Sequence, residues 1–347
     1  MSVSIQEYGR TADGEAVQLA VLKNDQIEAQ IMSYAGIVHR LIVADRAGKP
    51  TDVVLGYATA ADYQKNTDFM GAAVGRFANR IAGAQFPLNG EVVHITANEN
   101  GNCLHSGAHG FSSTLFAMAE TPDVPDSVTL TTTSPAGTDG FPGNMTVAIR
   151  YRLDGRSLVI DYHAESDAPT VCNLTNHSYF NLNGHASGSA LGHLVTVEAD
   201  KYLDADAQSI PTGRLLPVAG TPMDFTAEKP LGRDIDADFQ PLKDCRGYDQ
   251  CCVIRGEGLR RAAVAVGPET GIRMEVLTTL PGMHLYSGNN IASVTPGKDG
   301  AHYAARDAVC FETEGFPDAP NHPDFPDTTL VPGKPYASET IFKFDTV

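Results

Sequence analysis

Residues 145–163 read Met-Thr-Val-Ala-Ile-Arg-Tyr-Arg-Leu-Asp-Gly-Arg-Ser-Leu-Val-Ile-Asp-Tyr-His. Two apolar-rich runs, Met145 to Leu153 and Ser157 to His163, flank Asp154-Gly155, and this pattern predicts a β-hairpin. A second hairpin is expected at Asn89-Gly90, between Ala84–Leu88 and Glu91–Thr96, because Asn-Gly readily takes the positive φ angles of a type I′ turn. Seven Asn-Gly or Asp-Gly dipeptides and 21 prolines punctuate the chain, so short strands and tight turns dominate. Gln26 to Ser33 and Gly36 to Val43 read as further strands. Ala58 to Tyr63 supplies one or two helical turns, and no segment sustains a 3.6-residue apolar period. A βαβ sheet is therefore not expected. The fold class is all-β with few short helices. The irregular connections, Asn98 to Gly110, Ser134 to Asn144 and Asp224 to Gly247, lack the length and bias of linkers, so residues 1–347 are read as one domain.

Composition narrows the function. The formal net charge is −17 over 347 residues, with no Lys/Arg cluster, which disfavours nucleic acid and anionic membranes as partners. A small neutral molecule suits this surface better. The N-terminus has neither a charged n-region nor an apolar h-region, and no run approaches a membrane span; a cytoplasmic protein is expected. Six cysteines at irregular spacing read as reduced, mostly buried thiols rather than a disulfide framework. No dinucleotide fingerprint, P-loop, zinc-protease motif or nucleophile elbow is present.

Two stretches carry chemistry. Asn173 to Gly184 reads Asn-Leu-Thr-Asn-His-Ser-Tyr-Phe-Asn-Leu-Asn-Gly. Asn competes for backbone hydrogen bonds and makes a poor helix, which puts His177 at a strand end. Cys310 to Phe325 reads Cys-Phe-Glu-Thr-Glu-Gly-Phe-Pro-Asp-Ala-Pro-Asn-His-Pro-Asp-Phe. There Glu312 emerges from an apolar strand, where desolvation raises a carboxyl pKa toward that of a useful base.

Thr-Asn-His-Ser-Tyr-Phe-Asn-Leu at 175–182 and Phe-Glu-Thr-Glu-Gly-Phe-Pro-Asp-Ala at 311–319 resemble the aldose 1-epimerases, or galactose mutarotases. Four further segments match that family in its order: Gly-Arg-Phe-Ala-Asn-Arg-Ile at 75–81, Cys-Leu-His-Ser-Gly at 103–107, Gly-Tyr-Asp at 247–249, and Pro-Gly-Met-His-Leu-Tyr-Ser-Gly-Asn at 281–289. The resemblance spans essentially the whole chain. It implies a large antiparallel β-sandwich of the galactose mutarotase type and a reaction that interconverts sugar anomers by ring opening and reclosure. Only protons need to move, so no cofactor and no metal is expected. The resemblance gives Glu312 the part of base and His177 that of acid. Asn79, Arg80, His105, Tyr179, Asp249 and His284 become the ligands of the sugar, and Arg76 in the first motif reads as a surface ion pair.

Glu314 competes with Glu312, but Gly315 and Pro317 predict that the strand stops before Glu314, so the base is placed at Glu312. Two departures stand out. His284 and Glu314 occupy positions where the family commonly has Gln, and both bear on substrate rather than on reaction type. A neutral aldose such as glucose or galactose is expected, with a pentose or modified sugar as the alternative and a monomer or homodimer as the assembly. A carbohydrate-binding module without catalysis would favour Trp platforms, and this chain has no Trp. A glycoside hydrolase would need two flanking carboxylates, posts that Asp249 and Glu312 fill only in principle.

Overall fold

The hairpin at 145–163 forms the middle of the largest sheet. In the computed structural model, which describes residues 2–122 and 124–347, Met145–Asp154 pairs with Ser157–Ser166 in an unbroken antiparallel register from Met145↔Ser166 to Asp154↔Ser157. Gly155-Arg156 is the loop, with Gly155 at φ +56°, the pattern of a two-residue type II′ turn. The expected hairpin at Asn89-Gly90 joins Gln85–Leu88 to Glu91–His94. Asn89 and Gly90 have φ of +52° and +83°, as a type I′ turn requires.

Nine strands among the described residues make this sheet, running from Ala117–Glu120 and Ser127–Ser134 through the hairpin and Tyr336–Thr346 to Ile272–Thr278, Arg260–Val266, Leu194–Val197 and Lys229–Pro230. A second sheet of six strands has the order Tyr179–Phe180, Val309–Glu314, Gly282–Tyr286, Asp249–Ile254, Ala199–Ala205, Pro211–Pro217. The two face each other across one apolar layer. Phe180 of the smaller sheet packs at 4.8 Å between centroids on Phe342 of the larger, and Ile149, Ile160, Leu285 and Phe311 belong to the same buried cluster. A third, five-stranded sheet carries Ile27–Met32, within the expected Gln26 to Ser33, and Val38–Ala44, which runs one residue past the expected Gly36 to Val43.

Helix is scarce, as composition predicts. Ala60–Lys65 is capped by the Thr59 side chain, which accepts from the Asp62 amide, and lies slightly beyond the expected Ala58–Tyr63. A second helix, Gln240–Cys245, with Pro241 in its first turn, falls inside a stretch read as irregular connection. Six residues are too few to display a 3.6-residue period. No helix among the described residues is long and apolar enough to cross a membrane.

Candidate active site

Side-chain alternation in the six-stranded sheet explains the site. Gly282–Tyr286 lies between Asp249–Ile254 and Val309–Glu314, with His284 directly opposite both Cys251 and Glu312. Residues two apart share a face, so Asp249, Cys251, His284, Tyr286, Cys310, Glu312 and Glu314 all project to one side. The alternate residues Cys252, Met283, Leu285 and Phe311 project to the other and join the apolar core. These three strands thus turn Asp249, His284, Tyr286 and Glu312 to a cleft and Cys252, Met283, Leu285 and Phe311 to the core.

This overturns the expectation that the strand ends before Glu314. The strand runs through Glu314, because Gly315 is where its pairing is handed to a side chain: Asn173 Oδ1 accepts from the Gly315 amide at 2.7 Å and Asn173 Nδ2 donates to the Gly315 carbonyl at 3.3 Å. Glu312 and Glu314 therefore share a face, and both are buried, at 2% and 0% exposure.

Loops cover this sheet face. His177 follows the strand Thr175–Asn176, as its Asn-rich context predicts, and its backbone is held by bonds to Ala72 and Gly71 at 2.8 and 2.9 Å. Asn176 locks the turn by accepting from the Ser178 amide and hydroxyl. The ring stacks on Tyr179, with centroids 4.9 Å apart and an interplanar angle of 18°. Asn79 and His105 interlock: the His105 amide donates to the Asn79 carbonyl, and the Asn79 amide donates to His105 Nδ1, both at 3.0 Å. Nδ1 is thus an acceptor, which leaves the His105 proton on Nε2. Arg80 forms a two-pronged pair with Glu99 at 2.6 and 3.0 Å. Arg76, expected as a surface ion pair, is instead 2% exposed. It donates to the carbonyls of Ser134, Pro135 and Pro142, and burial, opposed by Cys172 and Asp167, lowers its pKa to about 10. It pins a loop rather than facing solvent.

All eight residues named from the sequence, Asn79, Arg80, His105, His177, Tyr179, Asp249, His284 and Glu312, line one cleft of about 250 Å³. Sequence reasoning missed Asp68, Phe69, Glu99 and Tyr286, which line it too. Tyr286 was open to detection, lying two residues from His284 in a strand. Phe69 at φ +58° and Glu99 come from loops that leave no comparable signal.

At the cleft floor His177 Nε2 stands 3.5 Å from Glu312 Oε2, beyond a good hydrogen bond. Neither atom has another side-chain or backbone partner among the described residues. Burial lowers the His177 pKa to about 4. Burial also drives the Glu312 pKa well above the carboxylate range; His284 opposes this, while Glu314 and Asp249 add to it. On the far side of the ring, His177 Nδ1 is 3.6 Å from Cys310 Sγ. His284 Nε2 is 2.8 Å from Asp249 Oδ1. Burial pushes the Asp249 pKa up, but this bond, with help from His284 and Arg80 charge, holds it below the ordinary value. Donor atoms of His105, His177 and Glu312, and separately of Cys251, His284 and Glu314, lie within 4.8 Å of one another.

The aldose 1-epimerase family model matches residues 18–343. The chain belongs to the aldose 1-epimerase family. It is 39% identical to galactose mutarotase of Homo sapiens, with 95% of each chain covered, and 34% identical to aldose 1-epimerase of Escherichia coli K12, with 96% of each covered. Among solved structures, it resembles an aldose epimerase homologue from C. elegans with a TM-score of 0.86 at 27% identity, all of both chains covered. Galactose 1-epimerase from Lactobacillus acidophilus gives 0.87 at 25% identity, covering 100% of this chain and 99% of that one. A sandwich of the mutarotase type is the fold of this family member.

Proposed function

We propose that this chain is an aldose 1-epimerase that interconverts the α and β anomers of a free, neutral aldose, with Glu312 and His177 moving the protons. The observation that carries this reading is the pair itself: a buried carboxyl and a buried imidazole converge on one point of the cleft floor, with no other partner for His177 Nε2 or Glu312 Oε2 among the described residues. Ring opening requires that one group take the C1 hydroxyl proton while another protonates the ring oxygen, and reclosure reverses the roles. Burial disfavours charge on both groups, so in the empty cleft one proton is shared between a neutral ring and a protonated carboxyl. Sugar hydroxyls bound between them supply the hydrogen bonds that let the ionised pair form, with Glu312 as base and His177 as acid.

The other residues suit sugar hydroxyls. His105 offers Nε2–H, Asp249 accepts, Asn79 and Arg80 present planar donors, and Tyr179 supports the imidazole from behind. Asp68, Glu99, Asp249 and Glu312 surround the cleft while Arg80 is matched to Glu99, which disfavours sugar phosphates and uronic acids. We place the activity in one domain over residues 1–347, working as a monomer or homodimer. Six free thiols suit a reducing compartment such as the cytoplasm.

Polarimetry of freshly dissolved α-D-glucose, α-D-galactose and a pentose tests the reading. The protein accelerates the decay of rotation, and Glu312→Gln reduces kcat by roughly a thousandfold or more, at the upper end of acid–base contributions. Unchanged spontaneous rates for every sugar, with sugar still bound, would leave only a binding protein. Preferred turnover of a uronate or sugar phosphate would overturn the neutral substrate.

A further inference from the structure

His284 is the one imidazole in the cleft with a carboxylate at each end. Nε2 is 2.8 Å from Asp249 Oδ1, and Nδ1 is 3.4 Å from Glu314 Oε1. The charged and titratable groups around it come from every neighbouring element. Asp249 and Cys251 stand on one flanking strand and Glu312 and Glu314 on the other. Across the cleft are His105, His177 and Arg80, and Cys245 lies at the end of the helix below.

Glu314 decides the proton count. Its carboxylate is fully buried and no Lys or Arg reaches it. Oε1 has Asn79 Nδ2 at 3.3 Å and the imidazole, while Oε2 has no partner. The Asn79 amide is oriented by its Oδ1, which accepts from the Arg80 amide at 2.9 Å. This turns its NH2 toward both Glu314 and His284 Nδ1, the latter at 3.2 Å. An unprotonated Nδ1 accepts from that amide, but it also faces a carboxylate oxygen at 3.4 Å and leaves Glu314 a buried anion with no charged donor. A proton on Nδ1 gives up the amide contact, supplies Glu314 with a cationic partner and leaves the Asn79 NH2 to Glu314 alone.

We infer that Glu314 is a positioning residue acting through His284: it keeps the ring doubly protonated, so that the cleft presents an imidazolium tied to Asp249 and the charge of Glu314 is cancelled beside the base Glu312. This rests on the reading of Glu312 as base and of Asp249 as a sugar ligand, with His284 holding Asp249 in place. Burial works against the charged ring, but the hydrogen bonds to Asp249, Cys251 and Glu314 outweigh it and hold the His284 pKa well above its ordinary value. The arrangement also makes sense of the two family departures together, since a cation and an anion stand where two amides are common, and the net charge is unchanged. Asp249 remains a fixed acceptor for the sugar, and its geometry depends on a ring that cannot change tautomer.

The test has two readouts. With ¹⁵N-histidine label and His284→Gln for assignment, both ring nitrogens of His284 carry protons in the free enzyme at about pH 7.5, and in Glu314→Gln the Nδ1 proton is lost about two pH units lower than in the wild type. A bare Nδ1 in the wild type, or titration of the two proteins within about half a unit of each other, overturns the inference. In kinetics, the KM for the aldose is flat from about pH 6 to 9 in the wild type and rises about tenfold across that range in Glu314→Gln; it is flat again in His284→Gln/Glu314→Gln, where no titratable pair remains. Parallel KM profiles for wild type and Glu314→Gln, or a double variant as pH-dependent as the single one, also overturn it. If no aldose is turned over at all, the epimerase reading fails, while the nitrogen spectra still decide the state of His284.

Discussion

His177 and His193 are both buried, both held neutral by desolvation with pKa values near 4, and only sixteen positions apart. Their hydrogen bonds separate them. His193 Nδ1 donates to the Ala190 carbonyl at 2.9 Å and Nε2 accepts from the Leu182 amide at 2.8 Å. Every lone pair and proton of that ring is committed to the backbone. His177 has good bonds only through its main chain, and its ring nitrogens meet a thiol at 3.6 Å and a carboxyl at 3.5 Å. Burial and a shifted pKa therefore do not mark a functional histidine. Unmet bonding capacity, held in a rigid frame, does.

The largest expected effects come from removing the two rings. His177→Asn loses roughly a thousandfold in kcat, the order expected for removing a positioned acid, while its unfolding free energy stays within about 1 kcal/mol of the wild type because no strong ring bond is lost. His193→Ala strands the Leu182 amide and the Ala190 carbonyl and leaves a cavity, which costs about 2–4 kcal/mol of stability. Its folded fraction keeps turnover within a few-fold. Urea unfolding beside polarimetry measures both, and a His193 variant that is stable but inactive would break the contrast.

Acid sharpens it next. A histidine whose folded pKa is depressed contributes stability that is complete above its unfolded value of 6.5 and is lost as pH falls toward about 4, because the unfolded chain binds the proton first. The loss reaches about 3 kcal/mol per ring over that window. Glu312 works in the opposite sense: its raised folded pKa gives stability that is present below 4.5 and declines as pH rises. His193, far from any coupled carboxyl, is the cleaner probe, and the drop in unfolding free energy between about pH 7 and 4.5 should be smaller in His193→Gln than in the wild type by about 2 kcal/mol.

The same division governs what the sequence made legible. Turn chemistry is local, so the turns at Asn89-Gly90 and Asp154-Gly155 were readable, while the outer strand ends, set by pairing with distant strands, lay up to three residues away from the expected ones. The strand end at Glu314 was not, because the cue that extends it, the Asn173 side chain, comes from a distant segment, while Gly315 and Pro317 are the local breakers. Arg76 misled for a related reason: a guanidinium that satisfies itself on three carbonyls looks, in sequence, like any surface Arg. The site residues converged because they lie in motifs, several of which fall on alternate positions of three neighbouring strands. Asp68, Phe69 and Glu99 reach the cleft by loop geometry alone, which has no period to read.

The smallest effect lies on the far side of the His177 ring. Burial, with Glu312 and Asp249 adding to it, raises the Cys310 pKa well above its ordinary value, so Cys310 stays a neutral thiol whose Sγ can accept weakly from His177 Nδ1–H. That contact favours the tautomer with the proton on Nδ1, which leaves Nε2, the atom aimed at Glu312 and the sugar, free to take the proton that makes the acid. Cys310→Ala removes the acceptor and lowers kcat by about threefold, in keeping with a bond worth well under 1 kcal/mol, and Cys310→Ser, a better acceptor of similar size, retains the wild-type rate or exceeds it. The order Ser, Cys, Ala in kcat, with KM unchanged, would show that the Nδ1 contact sets the tautomer. Equal rates in all three would mean that the backbone frame around His177 alone orients the ring.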